Sequence, residues 1–270
     1  MRDITKDTTL CISVAERPSN IGTRFHNHLY EVLDLDFVYK AFRPVDIAAT
    51  IQGMRGLPIR GCSVSMPFKQ AVLDLVDTIE ASAEAIGGAN TIVNDDGHLT
   101  AYNTDVEAVE ELLTGAGLDR NAPVLVRGSG SMASAVIAAF RTAGFADVTV
   151  TARNEETGSA QATRHGFTWR ADEPEVPGAI LANATPLGMA GADEDSLSFT
   201  EANIAAAHAV LDVVAFPSET PLIRSARAAG RPVITGAEVI ALQAARQFAL
   251  YTGVTPTPDQ VREASELSRA

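Results

Sequence analysis

The chain has 270 residues, of which 46% are hydrophobic and 20% are charged, a composition typical of folded globular proteins. Its formal net charge of -13 disfavours binding to nucleic acid, because clustered Lys and Arg side chains drive such binding. No apolar run reaches the roughly 20 residues that a membrane span needs, and the N-terminus lacks a signal-peptide pattern. We therefore expect a cytoplasmic protein with no membrane partner.

The spacing of cysteine and histidine residues does not indicate a metal site. Cys11 and Cys62 are the only cysteines, and each lies in an apolar, strand-like segment. We expect two buried thiols rather than a disulfide. The histidines show no ligand spacing, so we predict no bound metal and a structural or surface role for all five: His26, His28, His98, His165 and His208.

Short β-rich runs alternate with helical patterns in the first part of the chain, as in TTLCISV, DFVYKAF, DIAATIQGMRGL and IRGCSVS. This alternation predicts the α/β class, with a parallel or mostly parallel sheet and helices on both faces. Pro67 suits the start of a helix over AVLDLVDTI. Thr104 suits the N-cap of a helix over VEAVEELLTGAG.

The middle of the chain repeats the same alternation at the spacing of βαβ units, through PVLVRG, SMASAVIAAFRTAG, DVTVTAR, GAILANAT and AVLDVVA. It predicts a nucleotide-binding domain with boundaries near residues 105 and 236. Two helices should follow. The first ends at Gly253, and the second begins at Thr257, with Pro258 at its first position and Gln260 completing a capping box.

A dinucleotide-binding fingerprint follows the strand PVLVR and opens a helix. In this GxGxxA pattern the first glycine permits a tight turn, the second lets the backbone approach the pyrophosphate, and the alanine packs the helix on the strand. Small residues at such turns also serve packing alone, but the strand and helix context favours cofactor binding. The predicted cofactor-binding residues are Gly128, Ser129, Gly130, Ser131, Met132 and Ala133.

Arg153 follows the next strand, at the position where an NAD enzyme usually carries an acidic residue. A guanidinium can pair with the 2′-phosphate of NADP in a forked geometry, so Arg153 favours NADP over NAD. The alternative is a solvated loop arginine, since Glu155 and Glu156 lie beside it.

Lys69 and Asp105 are candidates for proton transfer. Lys69 follows a predicted strand, and an open α/β sheet binds ligands beyond the carboxyl ends of its strands. Taken alone, Lys69 would be interpreted as a surface charge and Asp105 as part of a helix cap. Together, an ammonium and a carboxylate can orient a hydroxyl and take its proton while a hydride leaves.

These motifs together resemble those of the shikimate dehydrogenase family. The matching segments run in the family's order through SMPFK, GANTIV, AYNTD, GSGSMA, NATPLGM, ETPLIRSARAAG and ALQAARQFALYTG, and they cover essentially the whole chain. ERPSNIGTRFHN, RGCSVSMPFK and DVVAFPSETP look more narrowly like the shikimate 5-dehydrogenase-like branch.

The resemblance implies an NADP-dependent oxidoreductase of the chorismate pathway of aromatic amino acid biosynthesis, which interconverts shikimate and 3-dehydroshikimate by hydride transfer. It implies that Lys69 and Asp105 are the catalytic pair, and that Arg153 holds the NADP phosphate. Residues 1–105 would form the substrate-binding domain, residues 106–236 a Rossmann-type NADP domain, and residues 237–270 helices that return to the substrate domain. Substrate contacts are implied for Asn20, Gly22, Ser65, Asn90 and Gln243, and cofactor contacts also for Asn183 and Gly236.

Three departures from the family's pattern affect four positions. Asn20 and Gly22 replace the two serines that receive the substrate carboxylate, Ala215 replaces a tyrosine, and Thr157 replaces a second phosphate-binding arginine. A different hydroxy acid, such as quinate or an amino-shikimate analogue, therefore stays open as substrate. A non-catalytic NADP- or metabolite-binding regulator also stays open, although such a regulator needs neither Lys69 nor Asp105. The sequence is compatible with a monomer or a homodimer.

Overall fold

A computed structural model describes residues 3–269 of the chain. Its contacts divide the chain into two units. The first unit comprises Met1–Thr104 and Ala241–Ala270, and the second comprises Asp105–Ile240. The boundaries expected from the sequence, 105 and 236, lie at and close to these junctions.

The first unit contains a six-stranded sheet in the order β2-β1-β3-β5-β6-β4. Its strands are β1 (Thr9–Val14), β2 (Phe37–Phe42), β3 (Gly61–Val64), β4 (Thr78–Ile79), β5 (Thr91–Asp95) and β6 (His98–Tyr102). Its helices are α1 (Ile21–Val32), α2 (Ile47–Gly56), α3 (Ala81–Ile86) and α10 (Pro258–Arg269). Two further helices, α4 (Thr104–Gly115) and α9 (Gly236–Thr252), cross the junctions between the units.

The first sheet is only partly parallel. β1, β2 and β3 are parallel, as the alternation predicts, but β5 runs antiparallel to both β3 and β6. The tight β5–β6 turn places Asp96 and Gly97 at φ 52° and 94°. An Asp-Gly pair at positive φ is the preferred centre of a two-residue hairpin, so Asp96-Gly97 was the sequence signal for this antiparallel pair.

The helix expected after Pro67 is absent from the described residues, and that prediction was wrong. The chain instead forms a turn and a short 3-10 helix, Ala71–Leu75, before it enters β4. Asp77 ends this stretch by accepting a hydrogen bond from the backbone N–H of Leu99 at 2.7 Å. β4 then pairs with β6 directly afterwards.

The C-terminal helices form as the sequence predicts. Gly253 ends α9 with φ 72°, and the capping box before α10 is present. The N–H of Thr257 donates to Gln260 Oε1 at 2.8 Å, and the N–H of Gln260 donates to Thr257 Oγ1 at 3.3 Å. Buried residues of α9, among them Phe248 and Tyr251, share a core cluster with residues of β1, α1 and β2.

The two cysteines lie in different core clusters of the first unit. Cys62 packs with residues of α2 and β6, whereas Cys11 packs with residues of α1 and α9. Both thiols are buried and free. The prediction of two buried thiols is therefore confirmed.

The second unit contains a six-stranded, fully parallel sheet in the order β12-β11-β10-β7-β8-β9. Counted from β7, this is the order of the doubly wound dinucleotide-binding fold. Its strands are β7 (Val124–Arg127), β8 (Val148–Thr151), β9 (Thr168–Arg170), β10 (Ile180–Asn183), β11 (Ala209–Asp212) and β12 (Val233–Thr235). Its helices are α5 (Ser131–Thr142), α6 (Glu155–Arg164), α7 (Glu201–Ala206) and α8 (Pro221–Ala228). The predicted α/β class with a Rossmann-type domain is confirmed.

Candidate functional site

Polar side chains collect at one edge of the first sheet, which we call the polar edge. β3 and β5 run antiparallel with Ser63 opposite Thr91, so the end of β3 and the start of β5 share this edge. β6 returns to the same edge, because Thr91 also lies opposite Tyr102. Ser65 and Lys69 follow β3 along the chain, so the polar edge includes two of the predicted site residues.

Asn90 is the centre of the hydrogen bonds at the polar edge. It precedes β5 and is only 3% exposed. Its side-chain oxygen accepts hydrogen bonds from the N–H of Thr104 at 2.9 Å and from the hydroxyl of Thr91 at 2.8 Å. Its Nδ2 donates to Thr104 Oγ1 at 3.0 Å and to Gln243 Oε1 at 3.4 Å. The structure thus brings together Asn90 and Gln243, which are far apart in sequence.

Two further residues of the polar edge were missed at the level of sequence. Thr104 was expected to be a helix N-cap, but it is the first residue of α4, and its hydroxyl lies 3.3 Å from Gln243 Oε1. Gln247 donates its Nε2 protons toward Ser63, the carbonyl of Asn90 and the Thr91 hydroxyl at 2.9–3.2 Å. The signal for Gln247 was its position one helical turn after Gln243, on the same face of the helix.

The two predicted proton-transfer residues are both half-buried. Lys69 lies in the turn after β3, where its carbonyl accepts a hydrogen bond from Ala89 N at 2.8 Å. Asp105 lies in the first turn of α4. The side chain of Asn103, two residues earlier, donates to the carbonyl of Gly88 at 2.8 Å. By its contacts Lys69 belongs to the first unit, and Asp105 begins the second.

The start of α1 carries the two positions where serines are replaced. Asn20 precedes the helix, is exposed, and makes no side-chain cap hydrogen bond. Gly22 lies in the first turn and is not among the residues with positive φ. A Cβ at Gly22 would lie 3.5 Å from the ring and hydroxyl of Tyr39, an ordinary van der Waals contact. The fold therefore accommodates a Cβ at this position.

His26 is a core residue, as its lack of ligand spacing predicted. It is fully buried, and its ring stacks on that of Tyr39 at 4.4 Å between centroids. Burial lowers the pKa of His26 to about 3, so the ring stays neutral at physiological pH. Among residues 3–269, no group of three or more His, Cys, Asp or Glu side chains is arranged to hold a metal ion. In the same range, no helix is both long and apolar enough to cross a membrane.

The fingerprint loop lies at the topological switch point of the second sheet, where β7 and β10 are neighbours. Gly128 has φ 127°, and a Cβ there would lie 2.6 Å from the carbonyl oxygen of Ala184 in the loop after β10. Only glycine allows this approach. A Cβ at Gly130 would meet nothing within 4 Å, so this face of the loop is open. Ala133 is fully buried against the sheet.

Arg153 is exposed between β8 and α6. The next residue, Asn154, caps α6 by accepting a hydrogen bond from Thr157 N at 3.0 Å. Thr157, which replaces the second arginine, donates its hydroxyl to Ser129 Oγ at 2.9 Å, and Gln161 donates to the Ser129 carbonyl at 2.9 Å. Helix α6 therefore holds the fingerprint loop through Ser129.

The side chain of Asn183, a predicted cofactor contact, is fully buried at the end of β10. Its Nδ2 donates to Asp212 Oδ1 at 2.9 Å and to the Leu187 carbonyl at 3.2 Å. Its oxygen accepts from the N–H of Thr185 at 3.1 Å and from the hydroxyl of Thr185 at 2.6 Å. These four bonds use the full capacity of the amide, so Asn183 shapes the loop after β10.

Gly236, the other predicted cofactor contact, begins α9 directly beside the chain that follows β11. A Cβ at this position would lie 2.4 Å from the carbonyl carbon and oxygen of Val214. Gly236 is buried, and any larger residue would displace the backbone there.

Asp212, at the end of β11, is a buried carboxyl group that the sequence motifs did not single out. Burial raises its pKa to about 6, against the opposing hydrogen bonds from Thr220, Val214 and Asn183. Its position at the carboxyl end of a strand in an open α/β sheet was the available signal.

The charged side chains near Asp212 have partners of their own. Arg127, opposite Asn183 in the sheet, pairs with Glu173 at 3.0 Å. Glu238 accepts hydrogen bonds from the N–H and hydroxyl of Thr235, the residue opposite Asp212. Glu219 pairs with Arg227 at 3.3 Å. Hydrogen bonds, rather than a cation, therefore offset the burial of Asp212.

The second sheet and its fingerprint loop define the class of dinucleotide-binding α/β proteins with an additional α/β unit. Residues 21–92 match the family described as the shikimate dehydrogenase substrate binding domain. A shikimate dehydrogenase-like protein of Haemophilus influenzae is 48% identical over 98% of each chain. A shikimate dehydrogenase (NADP(+)) of Chlorobaculum tepidum is 36% identical over 88% of each chain.

This chain belongs to the shikimate dehydrogenase family. The solved structure of a shikimate 5-dehydrogenase-like protein matches it with a TM-score of 0.96 and 48% identity, over 99% of this chain and 100% of the other. The resemblance drawn from the sequence motifs, including that to the shikimate 5-dehydrogenase-like branch, is confirmed.

We predict that the titration of Asp212 makes the stability of the second unit depend on pH. Its folded pKa of about 6 lies above its ordinary value, so the neutral carboxyl stabilises the fold below about pH 4 and this contribution is lost as pH rises through 6. Asp212→Asn removes the titration. The free energy of unfolding of the variant, relative to that of the wild type, should therefore increase by about 1 to 3 kcal/mol between about pH 4 and pH 7. Urea denaturation across this range measures the difference, and a difference that is constant with pH contradicts the assignment.

Proposed function

We propose that this chain is an NADP-dependent oxidoreductase that interconverts shikimate and 3-dehydroshikimate, or a close analogue. The observation that carries the proposal is the presence of both a fingerprint loop at the switch point of the second, Rossmann-type sheet and the polar edge of the first sheet, in a family whose relatives include shikimate dehydrogenases (NADP(+)).

The residues of the second unit fit NADP. The open face at Gly130 leaves the backbone N–H groups at the start of α5 accessible to a pyrophosphate, and Ser131 and Met132 begin that helix. The exposed guanidinium of Arg153 is suited to a 2′-phosphate. When bound, NADP accepts or supplies the hydride. The protein positions the bound cofactor and excludes competing reactions.

Lys69 and Asp105 are proposed as the proton-transfer pair. In the oxidation direction the hydroxyl loses its proton to this pair, the C–H bond gives up a hydride to NADP, and a ketone forms. What supports the assignment is the match of both residues to the family's motifs and the hydrogen bonds that fix their surroundings. The backbone of Lys69 is held by Ala89, and Thr104, directly before Asp105, is held by Asn90.

The polar edge is proposed to bind the other hydroxyls of the substrate. Ser65 is exposed and Gln243 is half-buried, so both side chains are suited to direct contact. Asn90 is almost fully buried and already bonded to Thr104 and Gln243, so its proposed role includes orienting those two residues.

A second candidate substrate is a related acid such as quinate or an amino-shikimate analogue. It is allowed by the start of α1, where an exposed amide at Asn20 and no side chain at Gly22 stand in place of two hydroxyl donors. A buried carboxylate that loses a charge-assisted hydrogen bond forfeits about 1.5 to 3 kcal/mol. The substrate preference of this chain should therefore differ from that of relatives with both serines.

Lys69→Ala should lower kcat by about a hundredfold or more while NADP binding and the melting temperature change little, as expected for loss of a positioned proton-transfer group. Cofactor absorbance at 340 nm with a panel of ring hydroxy acids gives the rate. Lys40→Ala, which removes an exposed lysine of the same unit, is the matched control. Normal turnover by the Lys69 variant would exclude it from the pair. NADP binding by the wild type without turnover of any acid would instead favour a non-catalytic regulator.

Arg153→Ala should weaken NADP binding by about tenfold to a hundredfold and leave NAD binding nearly unchanged, because only NADP carries the 2′-phosphate. Titration calorimetry with both cofactors measures the two dissociation constants. Arg164→Ala removes an exposed arginine from the other end of α6 and serves as the control. Equal losses for NADP and NAD would remove Arg153 from the phosphate site.

The double variant Asn20→Ser with Gly22→Ser should lower the KM for shikimate by about tenfold or more, because it restores two hydroxyl donors for the carboxylate. The contact of Gly22 with Tyr39 leaves room for the new side chain. Steady-state kinetics of the variant and the wild type provide the comparison. If the wild type already saturates at low micromolar shikimate, another donor holds the carboxylate.

A further inference from the structure

Asp212 joins the two loops that follow β10 and β11. We call residues 184–189 the β10 loop and residues 213–220 the β11 loop. Asp212 Oδ1 accepts hydrogen bonds from Asn183 Nδ2 at 2.9 Å and from Val214 N at 3.1 Å. Its Oδ2 accepts from Thr220 Oγ1 at 2.6 Å. One side chain, 0% exposed, thus bonds to both ends of the β11 loop and to Asn183, the residue directly before the β10 loop.

The hydrogen bonds continue from Asp212 into the β10 loop. Asn183 uses its remaining donor and acceptors on Thr185 and Leu187, and the hydroxyl of Thr185 in turn accepts from Leu187 N at 3.2 Å. A Cβ on Gly188 would lie 3.1 Å from Thr220 Cβ, so the two loops also touch directly. The conformation of the β10 loop therefore depends on where Asp212 holds Asn183.

Both loops border the place where the fold binds dinucleotides. The β10 loop touches the fingerprint loop, since a Cβ on Gly128 would lie 2.6 Å from the Ala184 oxygen. The β11 loop touches the start of α9, since a Cβ on Gly236 would lie 2.4 Å from Val214. Ligands of open α/β sheets bind at the carboxyl ends of the strands near the switch point, which these loops surround.

We propose that Asp212 is a positioning residue for the cofactor: through Asn183, Val214 and Thr220 it holds the β10 and β11 loops in the conformation that binds NADP. This inference rests on the proposed function of the second unit. It differs from a purely structural role, in which loss of Asp212 would weaken the whole unit evenly.

Four variants separate the two roles. Asp212→Ala removes every acceptor. Asp212→Asn keeps the three contacts with only one acceptor, because its oxygen still accepts from Asn183 and Val214, and its amide donates to the Thr220 hydroxyl in place of the bond from that hydroxyl to Oδ2. Ile204→Ala truncates a side chain that is 2% exposed in the core of the same unit and touches neither loop's hydrogen bonds. Thr220→Val, for the case in which Asp212→Ala does not fold, keeps Asp212 in place and removes one of its donors together with the hydroxyl that caps α8.

Hydrogen exchange of the cofactor-free protein is the first readout. Asp212→Ala should exchange faster in peptides covering residues 184–189 and 213–220, whereas Ile204→Ala should speed exchange evenly across the unit. The second readout is the dissociation constant for NADPH from fluorescence titration. If the loops of Asp212→Ala adopt the binding conformation only about a tenth of the time, the dissociation constant of this variant rises about tenfold. The dissociation constant of Asp212→Asn should stay near the wild-type value.

An Asp212→Ala or Thr220→Val protein that binds NADPH as tightly as Ile204→Ala, or that exchanges faster evenly across the unit, would overturn the inference. The result is distinct from failure of the proposed function. A wild type that binds NADPH and loses affinity on Asp212→Ala supports the positioning role even if it oxidises none of the acids tested. Unchanged NADPH binding in an Asp212→Ala protein made from an active wild type removes only the positioning role.

Discussion

The side-chain amide of Asn90 is the constraint on which the first unit depends most. It lies in a nearly dry environment, where an unmet hydrogen bond costs more than in water. Its partners come from the start of β5, the start of α4 and the middle of α9. Three stretches of chain that are distant in sequence are thereby fixed to one another, and the functional groups around them acquire a defined geometry without a metal ion or a disulfide in the described part of the chain.

In the second unit, a buried carboxyl group connects separate segments in a similar way. Asp212 sits beneath two loops rather than between two secondary structures, and hydrogen bonds alone offset its burial. Close backbone approaches at Gly128 and Gly236 bring the same loops against their neighbours. The unit thus combines positions where a side chain is excluded with one position where a polar side chain is required.

The sequence predicted the second unit better than the first. Parallel βαβ units have a regular spacing, and each small residue of the GSGSMA loop has a local structural reason. The strand order of the Rossmann-type sheet therefore follows from local patterns. The first sheet departs from this regularity. The antiparallel hairpin at Asp96-Gly97 had a local signal, but the short 3-10 helix after Pro67 depends on the pairing of β4 with β6, a long-range contact that local propensity does not encode.

The candidate site was predictable in its residue types and less so in its connections. Asn90 and Gln243 matched family motifs, yet nothing local indicated that they bond to each other or to Thr104. Asn183 matched a motif as a cofactor contact, whereas in the structure its amide is fully used in hydrogen bonds that shape the loop after β10. Such roles depend on which polar groups become buried together, and this is decided by tertiary packing.

The bond between Thr157 and Ser129 has a consequence for any redesign of the proposed phosphate site. Position 157, where the resemblance to the family implies a second phosphate-binding arginine, is here occupied by a residue that holds the fingerprint loop itself. An arginine at position 157 would gain a charge for the phosphate but release Ser129, with only Gln161 left to hold the loop to α6. An arginine introduced at position 157 therefore calls for a second substitution that restores the lost contact with Ser129.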